Sequence, residues 1–114
     1  MKRGEIWTAA GGPDYAGKPR PVVIIQEDRF DATASVTICG LTSTEVDAPL
    51  SRPLIDPTET NGLLVRSRLM VDKIATVPRK RLGRRLGELG GEDLIRMNQA
   101  ILVFLGLAGG EAGR

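Results

Sequence analysis

The sequence predicts a single, mainly β domain that spans residues 1–108 and ends in one α-helix, with a flexible tail at residues 109–114. Short apolar segments of strand length alternate with turns rich in glycine and proline as far as Leu89. After Glu92 the apolar residues recur at the helical spacings of three, four and seven. A chain of 114 residues is large enough for one hydrophobic core and too small for two.

The predicted first strand leads into a long loop. Residues 3–9 alternate as an opening strand does, and Trp7 is expected to be a core residue. Residues 10–19 contain three glycines and two prolines, a composition that neither a helix nor a strand tolerates. Tyr15 lies at the tip of this loop, where its ring suits either base stacking or covering the core.

The next predicted strand begins at a proline. Residues 21–25 are five consecutive non-polar residues, a run typical of a strand that is buried on both faces. Pro21 has no N–H to donate and therefore marks the first residue of the strand. Arg20 then lies at the junction between loop and core, either as a snorkelling side chain or as a functional cation.

Two further strands follow at residues 35–42 and 50–55. The first is rich in β-branched residues and ends at Thr42, and Phe30 is expected to anchor the polar turn before it. Pro53 restricts the second to an edge of the sheet, because a proline cannot donate to a central ladder.

The last predicted strands cover residues 63–77 and 82–89. An Asn61-Gly62 pair before them suits a tight turn with positive φ. The segment 63–77 is too long for an average strand and is expected to bend near Arg66 to Arg68.

Two features of the C-terminal half require partners. Asp72 interrupts apolar neighbours, where an unpaired carboxylate would be costly, so it should meet a cation or a backbone donor. Such a pair would be either structural or functional. Val103 and Phe104 make the last turns of the helix apolar nearly all round, which predicts that this end is buried in the core or covered by a second subunit.

Composition excludes several kinds of chemistry. The chain has no histidine, so imidazole cannot serve as an acid or a base. The single Cys39 cannot form an internal disulfide, and without histidine no plausible zinc set exists, so we expect no metal and no cofactor. No apolar segment reaches the roughly 18 residues of a membrane span, and the expected location is the cytoplasm.

Charge is distributed unevenly along the chain. Residues 1–60 carry six Lys and Arg against nine Asp and Glu, whereas residues 61–89 carry eight against two. A cationic block of this kind is either a footprint for a polyanion or a solvated face.

In order and spacing, five segments resemble the MazF/PemK family of bacterial toxin–antitoxin ribonucleases, across nearly the whole chain. These segments are Lys2–Trp7, Arg20–Ile24, Leu41–Ser43, Asn61–Leu63 and the helix end Leu105–Leu107. The resemblance implies a small, strongly curved antiparallel SH3-like barrel with a C-terminal α-helix, assembled as a homodimer. It also implies sequence-specific, metal-independent cleavage of single-stranded RNA by attack of the 2′-OH.

The family's catalytic pair carries over as Arg20 and Thr42, and Asp72 matches a strand carboxylate that some members place near the scissile phosphate. Asp72 is therefore the first candidate for the general base and Asp14 the second. The chain differs from many members in its first loop, where Pro13–Lys18 replaces Gly-Ser-Glu-Gln. The expected substrate-binding residues are Asp14, Tyr15, Lys18, Ser43, Thr44, Arg66 and Arg68.

The resemblance also implies a cognate antitoxin whose acidic, disordered tail blocks the RNA path, with operator DNA as a further candidate partner of the toxin–antitoxin complex. No membrane partner is expected. A different reading from the residues alone is a non-catalytic small-barrel nucleic-acid-binding protein that uses the basic block at residues 61–89. A protein-interaction barrel is a third possibility.

Overall fold

The structure, a computed structural model, describes residues 1–10, 18–48 and 50–108. Within these residues it has seven strands and one α-helix. They are β1 (Glu5–Ala9), β2 (Arg20–Ile24), β3 (Ser35–Thr42), β4 (Leu54–Ile55), β5 (Ser67–Leu69), β6 (Ala75–Pro78), β7 (Leu82–Glu88) and α1 (Gly91–Phe104). The predicted tail at residues 109–114 lies outside the described residues.

β3 is the central strand of one antiparallel sheet. β2 pairs with one of its edges, and β5 and β6 share the other. The sheet runs in the order β4-β5-β3-β2-β1-β7, with β6 attached to the first half of β3. Because β5 and β6 leave the same edge at different places, the sheet curls into a half-barrel. The predicted fold class, a curved antiparallel barrel with a C-terminal helix, is confirmed.

The predicted strand at residues 63–77 is wrong. The structure has two short strands, β5 and β6, separated by the 3₁₀ turn Val71–Lys73. β5 pairs with the end of β3 and β6 with its beginning, and the register shifts by three residues between them. The turn takes up those three residues, so the chain bends after Met70 rather than near Arg66 to Arg68.

The edge strand predicted at residues 50–55 is shorter in the structure, where only Leu54 and Ile55 form β4. The residues before it still follow β5, since the carbonyls of Ser51 and Pro53 accept hydrogen bonds from the N–H groups of Val71 and Leu69. This segment therefore keeps the edge position that Pro53 requires.

β2 is buried on both faces, as predicted. Val23 belongs to the main core between the sheet and α1, whereas Val22 and Ile24 belong to a second cluster on the opposite face. Trp7, predicted to be a core residue, is half-buried: it packs against the second cluster while its Nε1–H donates to Glu5. Phe30 does not anchor its turn, because its side chain is 54% exposed.

The Asn61-Gly62 turn packs closely against β7. Gly62 has a φ of +69°, as predicted, and the amide of the buried Asn61 bonds three backbone groups around it. Gly87 on β7 faces the turn, and a Cβ there would collide with the carbonyl oxygen of Thr60 and with the backbone of Asn61. Only a glycine permits so close an approach of two backbones.

The end of α1 is not buried in the core. Met97 and Ala100 pack inward, but Val103 and Phe104 are each 48% exposed, as large apolar residues in the last turn. Of the two expectations for this end, burial in the core is therefore wrong, and cover by a second subunit stays a prediction. No helix in the described ranges has both the length and the apolar character needed to cross a membrane.

Candidate functional site

A cleft of about 500 Å³ opens on the face of the sheet that carries the second apolar cluster, beside the ends of β2 and β3. Its apolar floor comes from Ile38, Ala75 and Val77, and Gly40 leaves space there because it has no side chain. The polar and charged lining consists of Arg20, Thr42, Ser43, Thr44, Arg52, Lys73 and Arg81.

Strand pairing brings Arg20 and Thr42 together. Val22 is paired with Gly40 at one end of the ladder between β2 and β3, and Arg20 and Thr42 each lie two residues beyond that pair. Side chains two residues apart on a strand share a face, so both residues lie on the side that faces the cleft. The structure thus unites two of the three predicted catalytic residues.

Thr42 is held so that its hydroxyl can donate into the cleft. Its Oγ1 accepts a hydrogen bond from the backbone N–H of Thr44 at 3.2 Å. This bond occupies a lone pair of the oxygen and leaves the hydroxyl proton to be donated elsewhere. Ser43 and Thr44, two of the predicted substrate-binding residues, line the cleft beside Thr42.

Asp72, the third predicted catalytic residue, is paired with Arg52. Arg52 Nε donates to Asp72 Oδ1 at 2.9 Å and Arg52 Nη2 to Oδ2 at 3.1 Å. The prediction that Asp72 meets a cation is confirmed. The hydrogen bonds from Arg52 lower the pKa of Asp72, and the same pair raises the pKa of Arg52.

This geometry does not support the prediction that Asp72 is the general base. Both carboxylate oxygens already accept hydrogen bonds from a guanidinium. A carboxylate with a pKa below its usual range is also a weaker base than an ordinary aspartate. Asp72 therefore holds a cation of the cleft.

The remaining predicted substrate-binding residues are scattered. Arg66 forms a surface ion pair with Asp56 and Arg68 pairs with Glu45, and neither arginine belongs to the lining of the cleft. Lys18 is exposed and also lies outside the lining. The two other predicted residues, Asp14 and Tyr15, fall outside the described part of the chain.

Three cations of the cleft were not singled out from the sequence. Lys73 and Arg81 belong to the basic block at residues 61–89, but nothing in that block distinguishes them from its other members. Arg52 lies in the acidic half of the chain. The sequence indicated it only indirectly: Asp72 was expected to pair with a cation, but the sequence does not show which one.

The described residues support neither a reactive thiol nor a metal site. Burial and the charge of Asp72 raise the pKa of Cys39 to about 12, so its thiol is protonated at neutral pH. In residues 1–10, 18–48 and 50–108, no three His, Cys, Asp or Glu side chains are grouped to hold a metal ion.

The chain is similar to known proteins over nearly its whole length. Residues 2–105 match the family described as PemK-like, MazF-like toxin of type II toxin–antitoxin system. The chain is 56% identical over 109 residues to a protein of Mycolicibacterium smegmatis named probable endoribonuclease MazF, covering 96% of this chain and 100% of that one.

Two solved structures of 25–26% identity share the fold. One, an endoribonuclease in complex with its cognate antitoxin from a mycobacterial species, has a TM-score of 0.79 and covers 96% of this chain and 98% of its own. The other, Mycobacterium tuberculosis toxin MazF-mt6, has a TM-score of 0.78 and covers 92% and 99%. The chain belongs to the PemK-like, MazF-like family of type II toxin–antitoxin toxins.

Proposed function

We propose that this protein is an endoribonuclease toxin that cleaves single-stranded RNA at specific sequences without a metal ion. The observation that carries the proposal is the cleft itself, because Arg20 and Thr42 share its lining with Arg52, Lys73 and Arg81. No carboxylate belongs to the described lining. A concave surface with four cations favours a polyanion.

RNA carries its own nucleophile, the 2′-OH. In the proposed reaction the 2′-oxygen forms a bond to phosphorus while the bond from phosphorus to the 5′-oxygen breaks. The 2′-hydroxyl loses its proton and the leaving 5′-oxygen gains one, so the products carry a 2′,3′-cyclic phosphate and a 5′-hydroxyl. The protein must orient the reactants, stabilise the charge on the phosphorane oxygens and move protons.

Arg20 and Thr42 fit the second of these tasks. Arginine presents a planar fork of N–H donors that matches two phosphate oxygens, and we assign Arg20 to that contact. The hydroxyl of Thr42, whose lone pair is engaged by the N–H of Thr44, donates to a non-bridging oxygen. Arg20 also supplies the proton to the 5′-oxygen late in the reaction.

The identity of the general base in this scheme differs from the sequence-based expectation, in which Asp72 was the first candidate. Because Asp72 is paired with Arg52, we assign removal of the 2′ proton to hydroxide from solvent or to Asp14, in the loop that the sequence predicts at residues 10–19. An Asp14→Asn variant separates these choices. If its rate still rises with pH as in the original protein, solvent is the base; loss of the rise identifies Asp14.

Sequence preference follows from the single-stranded substrate, because an A-form duplex hides the edges of its bases. Ser43 and Thr44, which line the cleft, are the proposed base-recognition residues, and Tyr15 is a candidate for base stacking. Such a substrate places the site of action in the cytoplasm.

The partners follow from the family and from the charge of the cleft. One of the similar structures is described as a complex with a cognate antitoxin. For this chain we propose a homodimer inhibited by an antitoxin whose acidic, partly disordered tail occupies the cationic cleft. Operator DNA is the proposed target of the resulting complex. Inhibition should weaken as salt rises, and an inhibitor that binds without displacing RNA would contradict this proposal.

Incubation of the purified protein with long single-stranded RNA in EDTA tests the activity. We expect discrete cuts that leave cyclic phosphate and 5′-hydroxyl ends, with no cuts by an Arg20→Ala variant prepared in parallel. Binding of the RNA without any cut would reject the ribonuclease and leave the non-catalytic nucleic-acid-binding protein.

A further inference from the structure

Arg52 is the best-anchored cation of the cleft. Its backbone N–H donates to the carbonyl of Ala48 at 2.8 Å, and its own carbonyl accepts from Arg68 Nη1 at 2.9 Å. The carbonyls of its two neighbours, Ser51 and Pro53, are bonded to the segment that follows β5 and to β5 itself. The backbone that carries Arg52 is therefore fixed on both sides.

The side chain of Arg52 is fixed as well. The two bonds to Asp72 engage the Nε and Nη2 edge of the guanidinium, and the side chain is only 12% exposed. Arg20, Lys73 and Arg81 are exposed, and none of them forms an ion pair with another described residue. Arg52 thus loses little conformational entropy when it binds a ligand, whereas the other cations must be ordered.

One edge of the guanidinium remains available to a ligand. Arg52 Nη1 donates to no described residue, and it is not among the fully buried atoms that lack a partner. The residue lines the cleft, so this accessible edge can present N–H groups of Nη1 and Nη2 to an anion. A phosphodiester, with two non-bridging oxygens, matches that fork.

Arg52 lies on a different strand line from Arg20 and Thr42, although all three residues line the same cleft. β5 lies between β3, which ends at Thr42, and β4. Arg52 lies just before β4 in the chain, on the same side of β5. Adjacent strands are about 5 Å apart, which separates the backbones of Thr42 and Arg52 by roughly 10 Å. An RNA chain that follows the cleft can therefore present one phosphate to Arg20 and Thr42 and a different phosphate to Arg52.

From this geometry we infer that Arg52 binds a non-scissile phosphate of the RNA and that Asp72 is the positioning residue that holds Arg52 in place. The inference rests on the proposed function for its substrate and deepens it. It gives the Asp72 carboxylate a role in substrate binding rather than in proton transfer. It also accounts for a charged pair whose arginine reaches the cleft from the acidic half of the chain.

Substitutions at the pair give the first test. Arg52→Gln should weaken binding of a non-cleavable 2′-O-methyl RNA by about tenfold and flatten the salt dependence of log Kd by about 0.7, the share of one phosphate contact on a single strand. For cleavable RNA, KM should rise while kcat stays within about threefold, because a non-scissile contact contributes ground-state binding. Arg52→Lys should recover part of the affinity, since it keeps the charge but loses the fork.

Asp72→Asn tests the positioning role separately. It should weaken RNA binding through Arg52, and the double variant with Arg52→Gln should bind no more weakly than Arg52→Gln alone, because both changes remove one interaction. The matched control is Arg29→Gln, which removes an exposed arginine that is also paired with a carboxylate, Glu27, outside the cleft. We expect this control to bind and cleave as the original protein does.

Uncharged phosphates give a test that needs only the conservative Arg52→Lys variant. A series of oligonucleotides with one methylphosphonate each should contain one non-scissile position at which the original protein loses affinity and Arg52→Lys loses much less. Equal losses in both proteins at every position would overturn the inference, as would a fall in kcat with unchanged KM in Asp72→Asn. If the protein binds RNA through Arg52 but cleaves none, the proposed function fails and the inference stands.

Discussion

Arg20 and Thr42 share the lining of one cleft because each lies two residues beyond the paired Val22 and Gly40, on the same face of two neighbouring strands. Each residue lies at a strand boundary, because Arg20 begins β2 and Thr42 ends β3. The reactive pair is therefore set by backbone register, so side-chain substitutions can probe its chemistry without moving its frame.

Replacement of Arg20 by lysine tests whether the planar fork matters. Arg20→Lys keeps the charge but loses the two parallel N–H donors, and we expect cleavage to fall about 100-fold or more while RNA binding is largely kept. Arg29→Lys, at the exposed turn before β3, serves as the control. Single-turnover cleavage and binding of non-cleavable RNA separate the two effects; an Arg20→Lys protein as active as the original would reject the assignment.

Two substitutions of Thr42 separate the role of its hydroxyl from the role of its shape. Thr42→Val removes the hydroxyl with little change in shape, and we expect kcat to fall about 10- to 100-fold because one donor to a phosphorane oxygen is lost. Thr42→Ser keeps the hydroxyl that accepts from Thr44, and its activity should stay within about tenfold of the original. Equal losses in the two variants would assign Thr42 a packing role instead.

The Asp72 pair also makes stability depend on pH. The pKa of Asp72 is lowered in the folded protein, because Arg52 bonds its charged form, from an ordinary value of 3.8. The stabilisation is therefore fully present above the unfolded pKa near 3.8 and is lost as the pH falls through the lower, folded pKa.

Urea unfolding measures this contribution. At pH 7 we expect Asp72→Asn to lower the free energy of unfolding by about 1–3 kcal/mol, since it leaves a mostly buried arginine without its partner. The difference from the original protein should shrink as the pH falls below about 4, where aspartate is protonated in the unfolded chain. A difference that stays constant from pH 7 to pH 3 would show that the ion pair contributes nothing to stability.

A fourth prediction concerns the contact between the Asn61-Gly62 turn and β7. Gly87→Ala places a Cβ against the carbonyl of Thr60 and the backbone of Asn61, where no flexible side chain can move away. We expect a loss of about 2–4 kcal/mol of unfolding free energy, in the range of overpacking and strain combined. Gly91→Ala is the control, because its added Cβ meets no atom within 4 Å. Thermal unfolding of the two variants should differ clearly, and equal melting temperatures would contradict the packing argument.

The sequence predicted those parts of the fold that depend on local pattern. The limits of β3 and the burial of β2 on both faces follow from β-branched runs and from Pro21, and the start of α1 from the change in period. The break at Val71–Lys73 could not be predicted, because it depends on how two strands share one edge of β3.

The site shows the same division. Arg20 and Thr42 lie at strand ends that the sequence marks, so their resemblance to a known pair could be placed on a predicted sheet. Arg52 and Asp72 are twenty residues apart and meet only because residues 51–53 follow β5. No local pattern encodes that contact. The sequence therefore predicted that Asp72 has a partner but could not identify Arg52 as that partner.

The last prediction concerns assembly. Val103 and Phe104 are each 48% exposed, and Leu105 and Leu107 extend the apolar surface with 56% and 69% exposure. A contiguous apolar patch at one end of a small protein favours association, and a second copy of the chain is the proposed occupant.

We expect light scattering to give the mass of a dimer and Val103→Asp to shift it toward the monomer, because a carboxylate would have to be buried without a partner. Leu64→Ser, which changes a single apolar side chain with 94% exposure outside α1, should leave the dimer intact. A monomer at all concentrations, or a dimer unaffected by Val103→Asp, would show that this end of the helix has another role.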